Sequence, residues 1–334
     1  MASNDESIKQ TRADTRTGAD MTPSTSQPAV DTHDLTRTFG GFIAVDQVTM
    51  QIDPGEVCGF LGPNGAGKTT VIRMLCGILE PTSGSGKVLG YDVARDSEQI
   101  KKHLGYMSQK FSLYNDLTVQ ENLTFYAGIY GLSPRERSRR LPEMIDMAGL
   151  TGQEQAIVAN LSSGGRQRLA LGCAIISRPS IVFLDEPTSG VSPTGRQTFF
   201  NIIQNLANQG VTVIVATHFM DEAERCGRIA FFSGGQLLAL DTPGHLKAAS
   251  LGGFLVELEL PDAMARIPGI ESQLYVRECS LHGVVLHVIL KEESDLAALR
   301  TFTGVEPNPI TPSLEDVFIA LAKKSRMERK EHDG

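Results

Sequence analysis

The stretch GPNGAGKTT at 62–70 constrains this chain more than any other. It satisfies G-x-x-x-x-G-K-[ST] in full, and its flanks decide what it can be. EVCGFLG (56–62) is a short apolar run of strand length. TTVIRMLCGILE (69–80) repeats apolar residues at Val71, Ile72, Leu75, Cys76 and Leu79, a helical period. Strand, Gly-rich loop and helix in that order turn the backbone N–H groups at Gly62, Gly65 and Gly67 toward phosphate oxygens. The positive end of the helix lies behind them. Pro63, Asn64 and Ala66 complete the loop. Lys68 adds a point charge between β- and γ-phosphates, Thr69 a hydroxyl for Mg²⁺, and Thr70 a donor for the α-phosphate. The ligand class is a nucleoside triphosphate. The loop alone leaves the reaction open, because kinases, GTPases and motor ATPases all use it.

IVFLDEP (181–187) supplies the complementary half. An apolar strand runs into Asp185, placed to hold Mg²⁺ through a water, and Glu186 follows at the carboxyl end, where ligands sit in open α/β sheets. Glu186 is positioned to polarise an attacking water as a general base.

The rest of the 334 residues narrows the class. No stretch approaches the roughly 18 apolar residues of a membrane span, so a membrane role is expected to come through a partner. The net charge of −8 makes nucleic acid an unexpected ligand. The basic run SPRERSRR (133–140) is expected to be a solvated helix face. Five scattered cysteines without CxxC spacing fit neither a zinc site nor a disulfide framework, and point to a reducing cytosol. Cys58 and Cys173 read as small core residues.

Along the chain, 1–32 is polar, without apolar period, and is expected to be a disordered tail. LTRTF (35–39) and AVDQVTMQI (44–52) alternate like half-buried strands, and PTSGSG (81–86) reads as a break. From about 117 to 177 the pattern is helical, with Pro142 a candidate break. IVFLD (181–185) and VTVIVAT (211–217) are buried strands around a helix, and RIAFFSGGQLLAL (228–240) is a hairpin. After Ser250, FLVELEL, QLYVREC and VVLHVIL read as strands, and DLAALRTF and LEDVFIALAKK as helices. The expected units are a nucleotide-binding domain over 33–250, a small α+β domain over 251–325 and a charged tail over 326–334.

LSSGGRQR (161–168) lies between the two phosphate-site motifs. With it, the chain from about 33 to 250 resembles the ATPase subunit of an ABC transporter. The resemblance implies an α/β P-loop fold with a β-rich N-terminal subdomain and a helical signature subdomain over about 110–177. It implies ATP and Mg²⁺ as ligands. It also assigns roles: Phe39 stacks on adenine, Gln109 of GYMSQ reaches Mg²⁺ and the attacking water, and His218 of VATH contacts the γ-phosphate and holds Glu186. The signature residues Ser162, Ser163, Gly164 and Gln167, with Arg168, act on the ATP of a second ATPase subunit. LTVQENL (117–123) looks like the helix start that faces a transmembrane permease. PSLEDVFIAL (312–321) is similar to the C-terminal end of subunits from the drug, polysaccharide and lipid exporter branch. The expected function is ATP hydrolysis driving export, on the cytoplasmic face of a membrane. The rival readings are a soluble non-transport ABC ATPase and a regulatory ATP-binding subunit; a P-loop kinase would need neither signature nor His218.

Two positions depart from the family pattern. Ser163 stands where the signature has its first Gly, and Ser192 of SGVSP (189–193) where an Asp is usual. Both belong to loops acting across the subunit interface, so two arrangements follow: a homodimer that tolerates both serines, or an asymmetric pair with a different ATPase. A left-handed backbone at Ser163 would cost about 1–2 kcal/mol relative to Gly.

Overall fold

The computed structural model describes residues 27–109, 113–249 and 251–332, those from 326 on as backbone only. Most of the tail expected over 1–32 therefore lies outside the described residues. Strand β1 (Val30–Phe39) begins inside that stretch, because Val30 is fully buried and pairs with Ile52 on one side and Val88 on the other.

β1 turns at Gly40–Gly41 into β2 (Phe42–Ile52), with Phe39 opposite Phe42 at the tip. Strand β3 (Val57–Leu61) leads through the phosphate loop into α1 (Lys68–Leu75), shorter than the run 69–80 suggested. The expected break at 81–86 is instead mostly strand. β4 (Ser83–Val88) joins β1, and the pairing supplies what its weak local propensity lacks. Gly84 makes this possible, since a Cβ there would lie 2.2 Å from the Asp34 carbonyl. With β5 (Tyr91–Asp92) these strands make an antiparallel sheet in the order β2-β1-β4-β5.

Helix α2 (Ser97–His103) and β6 (Leu104–Met107) precede the helical subdomain of α3 (Val119–Ile129), α4 (Pro134–Met147) and α5 (Ser163–Ile175). Capping boxes start α3 (Thr118 with Glu121) and α4 (Ser133 with Glu136). Pro142 does not break α4. The basic run is only partly solvated. Arg140 is buried and donates to the carbonyls of Ile175 and Ile176 at 2.7 and 2.9 Å, satisfying the C-terminal end of α5.

The chain then alternates β7 (Ile181–Asp185), α6 (Pro193–Asn208), β8 (Thr212–Thr217) and α7 (Met220–Ala223). β9 (Arg228–Ser233) and β10 (Gln236–Asp241) form the expected hairpin around Gly234 and Gly235, followed by α8 (Pro243–Ala249). The six-stranded sheet β10-β9-β3-β8-β7-β6 is parallel except at β10. Its central strands are buried on both faces, as parallel sheets require. Cys58, Phe60, Phe183, Ile214 and Ala216 pack toward α1 and the antiparallel sheet. Val57, Val182, Leu184, Val213 and Val215 pack toward α5 and α6. Each fully buried Phe or Val contributes about 1.5–3 kcal/mol.

The C-terminal unit comprises β11 (Phe254–Leu258), α9 (Ala263–Glu271), β12 (Val276–His282), β13 (Val285–Leu290), α10 (Leu296–Thr303), β14 (Asn308–Pro309) and α11 (Leu314–His332). Its strands are ordered β12-β13-β11-β14. β12 sits three residues later than QLYVREC suggested, and α11 continues through the expected charged tail to His332. Leu314, Val317 and Phe318 of α11 pack with Leu61, Ile229 and Phe231, so this unit docks on the strand that carries the phosphate loop. Among the described residues, no helix is long and apolar enough to cross a membrane.

Phe231 is fully buried in that junction, its ring centroid 5.6 Å from Phe318. Phe231→Ala is expected to cost about 3–5 kcal/mol and to raise amide exchange in α11 before it does so in β7 and β8. Denaturant unfolding with exchange mass spectrometry reads both, and a cost below about 1 kcal/mol would contradict this packing.

Candidate functional site

Four segments leave the same edge of the parallel sheet. Leu61 pairs with Thr217, Asp185 with Ala216, and Met107 with Leu184. The residues just beyond those pairs are Gly62, Glu186, His218 and, two beyond Met107, Gln109. Strand register alone thus gathers residues from four distant stretches of sequence.

The phosphate loop is shaped by close backbone approaches. A Cβ on Gly62 would lie 2.2 Å from the Phe232 carbonyl oxygen. Gly67 has φ +100°, and a Cβ there would meet the Ala44 carbonyl at 2.7 Å. Only glycine fits both positions. The Lys68 ammonium lies inside the loop and donates to the carbonyls of Gly62 and Pro63 at 2.6 and 3.0 Å. Burial lowers its pKa, and the nearby Glu186 and Asp185 carboxylates oppose that shift.

Thr69, in the first turn of α1, donates its hydroxyl to Asp185 Oδ1 at 3.0 Å. Asp185 is 1% exposed, and burial pushes its carboxyl up despite this bond. Two side-chain oxygens this close, one of them a poorly solvated carboxylate, suit a hard divalent cation.

Glu186 has φ +49°, a left-handed conformation that costs a non-glycine residue of order 1–3 kcal/mol. Its N–H donates to the Ala216 carbonyl at 2.9 Å, which holds the strained backbone in place. Its carboxylate is bracketed: Gln109 Nε2 donates to Oε2 at 2.9 Å, and His218 Nδ1 lies 3.5 Å from Oε1. Glu186, expected from its strand end, and Gln109 and His218, expected from the family resemblance, therefore form one contact group.

Glu186 and Gln109 line a cavity of about 520 Å³ together with Asn64, Gly65, Ala66, Gly67, Lys68, Thr69, Thr70, Phe39, Phe42 and Ala44. Phe39 is 46% exposed, with the Arg37 guanidinium 4.7 Å from its ring centre. Phe42, 65% exposed, is a second ring that the sequence reading passed over; its place opposite Phe39 across a Gly-Gly turn was the available signal.

Ser162, Ser163, Gly164 and Gln167 do not line this cavity. They start α5. Ser162 caps it by accepting from Gly165 N at 3.1 Å, and Ser163 takes the first helical position, outside the left-handed region. The left-handed backbone that would have penalised a serine is therefore absent at Ser163. Ser192 caps α6 by accepting from Gly195 N at 3.3 Å. Val191 links the two helix starts, its Cγ1 3.7 Å from where a Cβ on Gly164 would stand.

Sequence reasoning missed Glu222. It is 1% exposed, and its two oxygens accept from the hydroxyls of Thr188 and Thr217, with Arg196 Nε at 4.0 Å. The Arg196 guanidinium in turn covers the Phe219 ring at 3.6 Å. One buried carboxylate thus ties the loop after Glu186 to the residue before His218. In the sequence it is an unremarkable acid in MDEAE, because its partners come from other elements.

Comparison with known proteins gives one consistent result. The ABC transporter family model matches residues 45–189. The chain is 47% identical over 224 residues to the probable multidrug ABC transporter ATP-binding protein YbhF of Escherichia coli (strain K12), a match spanning 67% of this chain and 39% of that protein. It is 33% identical over 297 residues to the Nod factor export ATP-binding protein I of Rhizobium etli, spanning 88% and 93% of the two chains. An ATP-binding subunit of an ABC transporter superposes with TM-score 0.60 at 28% identity, over 66% of this chain and 92% of that one. The ATP-binding cassette MJ0796, a dimer bound to ADP and Pi, superposes with TM-score 0.58 at 26% identity, over 64% and 98%.

Glu222 makes stability depend on pH in a defined direction. Burial raises its carboxyl above the ordinary value of 4.5, so the native state holds the proton more tightly than the unfolded chain. The wild type is expected to gain stability relative to Glu222→Gln as pH falls through the raised native value toward 4.5. Glu222→Leu leaves two threonine hydroxyls without their acceptor and is expected to cost about 1–3 kcal/mol for each. Unfolding of the three proteins at several pH values checks this; a stability difference independent of pH would show that Glu222 is not held as described.

Proposed function

Because this chain belongs to the ABC transporter ATP-binding family, we propose that it binds ATP with Mg²⁺ in the cavity above β3, β7 and β8, hydrolyses it, and drives export through a separate membrane subunit. The observation that carries this reading is Glu186, which lines that cavity with Gln109, is strained to φ +49° and is bracketed by Gln109 and His218. A binding module needs no such arrangement, whereas hydrolysis needs a carboxylate aimed at one water.

Each residue has a task in this reading. Loop amides from Gly62 to Thr70 surround the phosphates, and Lys68 transfers its hydrogen bonds from the Gly62 and Pro63 carbonyls to phosphate oxygens. Thr69, Asp185 and Gln109 would hold Mg²⁺, which would supply positive charge against the triphosphate. Glu186 accepts the water's proton, and Gln109 and His218 fix its direction. Phe39 stacks on the base, with Phe42 a second ring lining the same cavity.

The signature residues lie outside the chain's own cavity, which supports action on a second ATPase subunit. The unstrained backbone of Ser163 and the intact cap at Ser192 favour a symmetric pair over an asymmetric one. Export is supported by the similarity to YbhF, a probable multidrug transporter protein, and to a Nod factor export protein. The chain spans 39% of the length of YbhF, so it corresponds to one part of that relative.

Glu186→Gln is expected to lower ATP turnover by about 10²–10⁴-fold while ATP binding persists. With ATP added, the variant is expected to elute as a dimer holding two nucleotides. Steady-state turnover and size-exclusion with nucleotide counting are the measurements. Unchanged turnover would remove Glu186 from the proposed role; a dimer that forms only with a different ATPase would replace the symmetric pair with the asymmetric one.

A further inference from the structure

The C-terminal unit carries a cluster of ligand-type side chains that takes no part in lining the nucleotide cavity. Ser280 and His282 are two apart on β12, and His287 lies opposite Ser280 on β13, so all three share one face of the sheet. That face meets the start of α11. Asp316 Oδ1 receives both rings: His287 Nδ1 at 2.6 Å and His282 Nε2 at 3.2 Å. The two imidazoles are stacked, with centroids 3.9 Å apart and planes within 12°. The three ligand atoms lie within 4.8 Å of one another, and Asp316 and His287 are buried.

The surroundings carry the argument further. The other nitrogen of each ring faces a carboxylate, His287 Nε2 toward Glu257 at 3.6 Å and His282 Nδ1 toward Glu315 at 3.9 Å. The other oxygen of Asp316 accepts from Ser313 N at 2.8 Å and Ser313 Oγ at 2.6 Å. Ligand atoms that point at one another, each oriented from behind by a partner, are the pattern of a carboxylate–histidine–metal site.

We propose that His282 Nε2, His287 Nδ1 and Asp316 Oδ1 bind a divalent transition metal of the zinc class, with open positions left for water. Two imidazoles and one carboxylate select Zn²⁺ and its first-row neighbours over Mg²⁺ or Ca²⁺. Tetrahedral bonds of about 2.0–2.1 Å put ligand atoms about 3.3 Å apart. The His282–Asp316 pair is already at 3.2 Å, and the His287–Asp316 pair opens from 2.6 Å by a small ring rotation. The ring proton of His287 then resides on Nε2, facing Glu257. The metal joins the β12–β13 hairpin to the first turn of α11, the helix that docks on Phe231 and Leu61. Its effect is to stiffen that docking.

The test uses the full chain, stripped with chelator and held in excess Mg²⁺ so that the nucleotide cavity does not compete. Zn²⁺ titration by calorimetry and thermal unfolding is expected to show one equivalent per chain and a Tm that rises with metal concentration. The Co²⁺ derivative is expected to show nitrogen and oxygen ligands without thiolate absorption. Glu257→Gln, which leaves all three ligands in place, is expected to weaken Zn²⁺ about 10–100-fold. The His282→Ala/His287→Ala variant is expected to lose the equivalent, with ATP turnover retained. No saturable equivalent, undiminished binding by either variant, or a thiolate signature placing metal on the cysteines would each overturn the site. Should the double variant not fold, the Glu257→Gln comparison still decides.

Discussion

The candidate site depends on the parallel pairing of β3, β8, β7 and β6. Strands buried on both faces cannot slip register by one residue without moving every side chain into the opposite packed layer. Their carboxyl ends are therefore held level, and whatever residue follows each strand is placed by the core. Gly62, Glu186, His218 and Gln109 need no mutual attraction to meet. This explains how a site is assembled from residues up to 156 positions apart in the sequence.

The same core lets the site keep conformations that local sequence would reject. Glu186 sits in the left-handed region, and the approach of Gly62 to Phe232 and of Gly67 to Ala44 leaves no space for a side chain. Each feature costs free energy locally and persists because the sheet behind it is over-determined. Glu222 belongs to this support. It lies beneath the loops rather than in the cavity, and a buried carboxylate facing two threonine hydroxyls fixes their spacing where an apolar residue would let the loops relax independently.

What the sequence made legible divides along physical lines. The phosphate loop, the strand ending in Asp185 and Glu186, and the double-glycine hairpin at 234–235 could be read because their chemistry is local: special backbone angles, a fixed spacing, an apolar run. Gln109 and His218 came only through family resemblance, since a single Gln or His carries no periodic signal. The misreadings have one cause. Ser83–Gly86 resembles a turn, yet pairs with β1; Arg140 sits in a basic run, yet caps α5; Val30 lies at the end of a polar tail, yet fills the space between Ile52 and Val88. In each case a partner distant in sequence overrides local propensity.

The two serines show the limit of reading a motif as a string. At Ser163 the concern was backbone strain, and the residue occupies an ordinary first helical position where glycine's extra freedom confers nothing. At Ser192 the hydroxyl performs the N-cap that an aspartate would also perform, so the fold is indifferent to the exchange. What the exchange removes is charge: an Asp cap adds an anion to the positive end of α6, and a Ser cap does not. Val191 couples this cap to the start of α5, so both altered positions sit at neighbouring helix N-termini, one without a carboxylate and one with an added hydroxyl. Any consequence for nucleotide handling must therefore come from the field and hydrogen bonding that these two ends present outward.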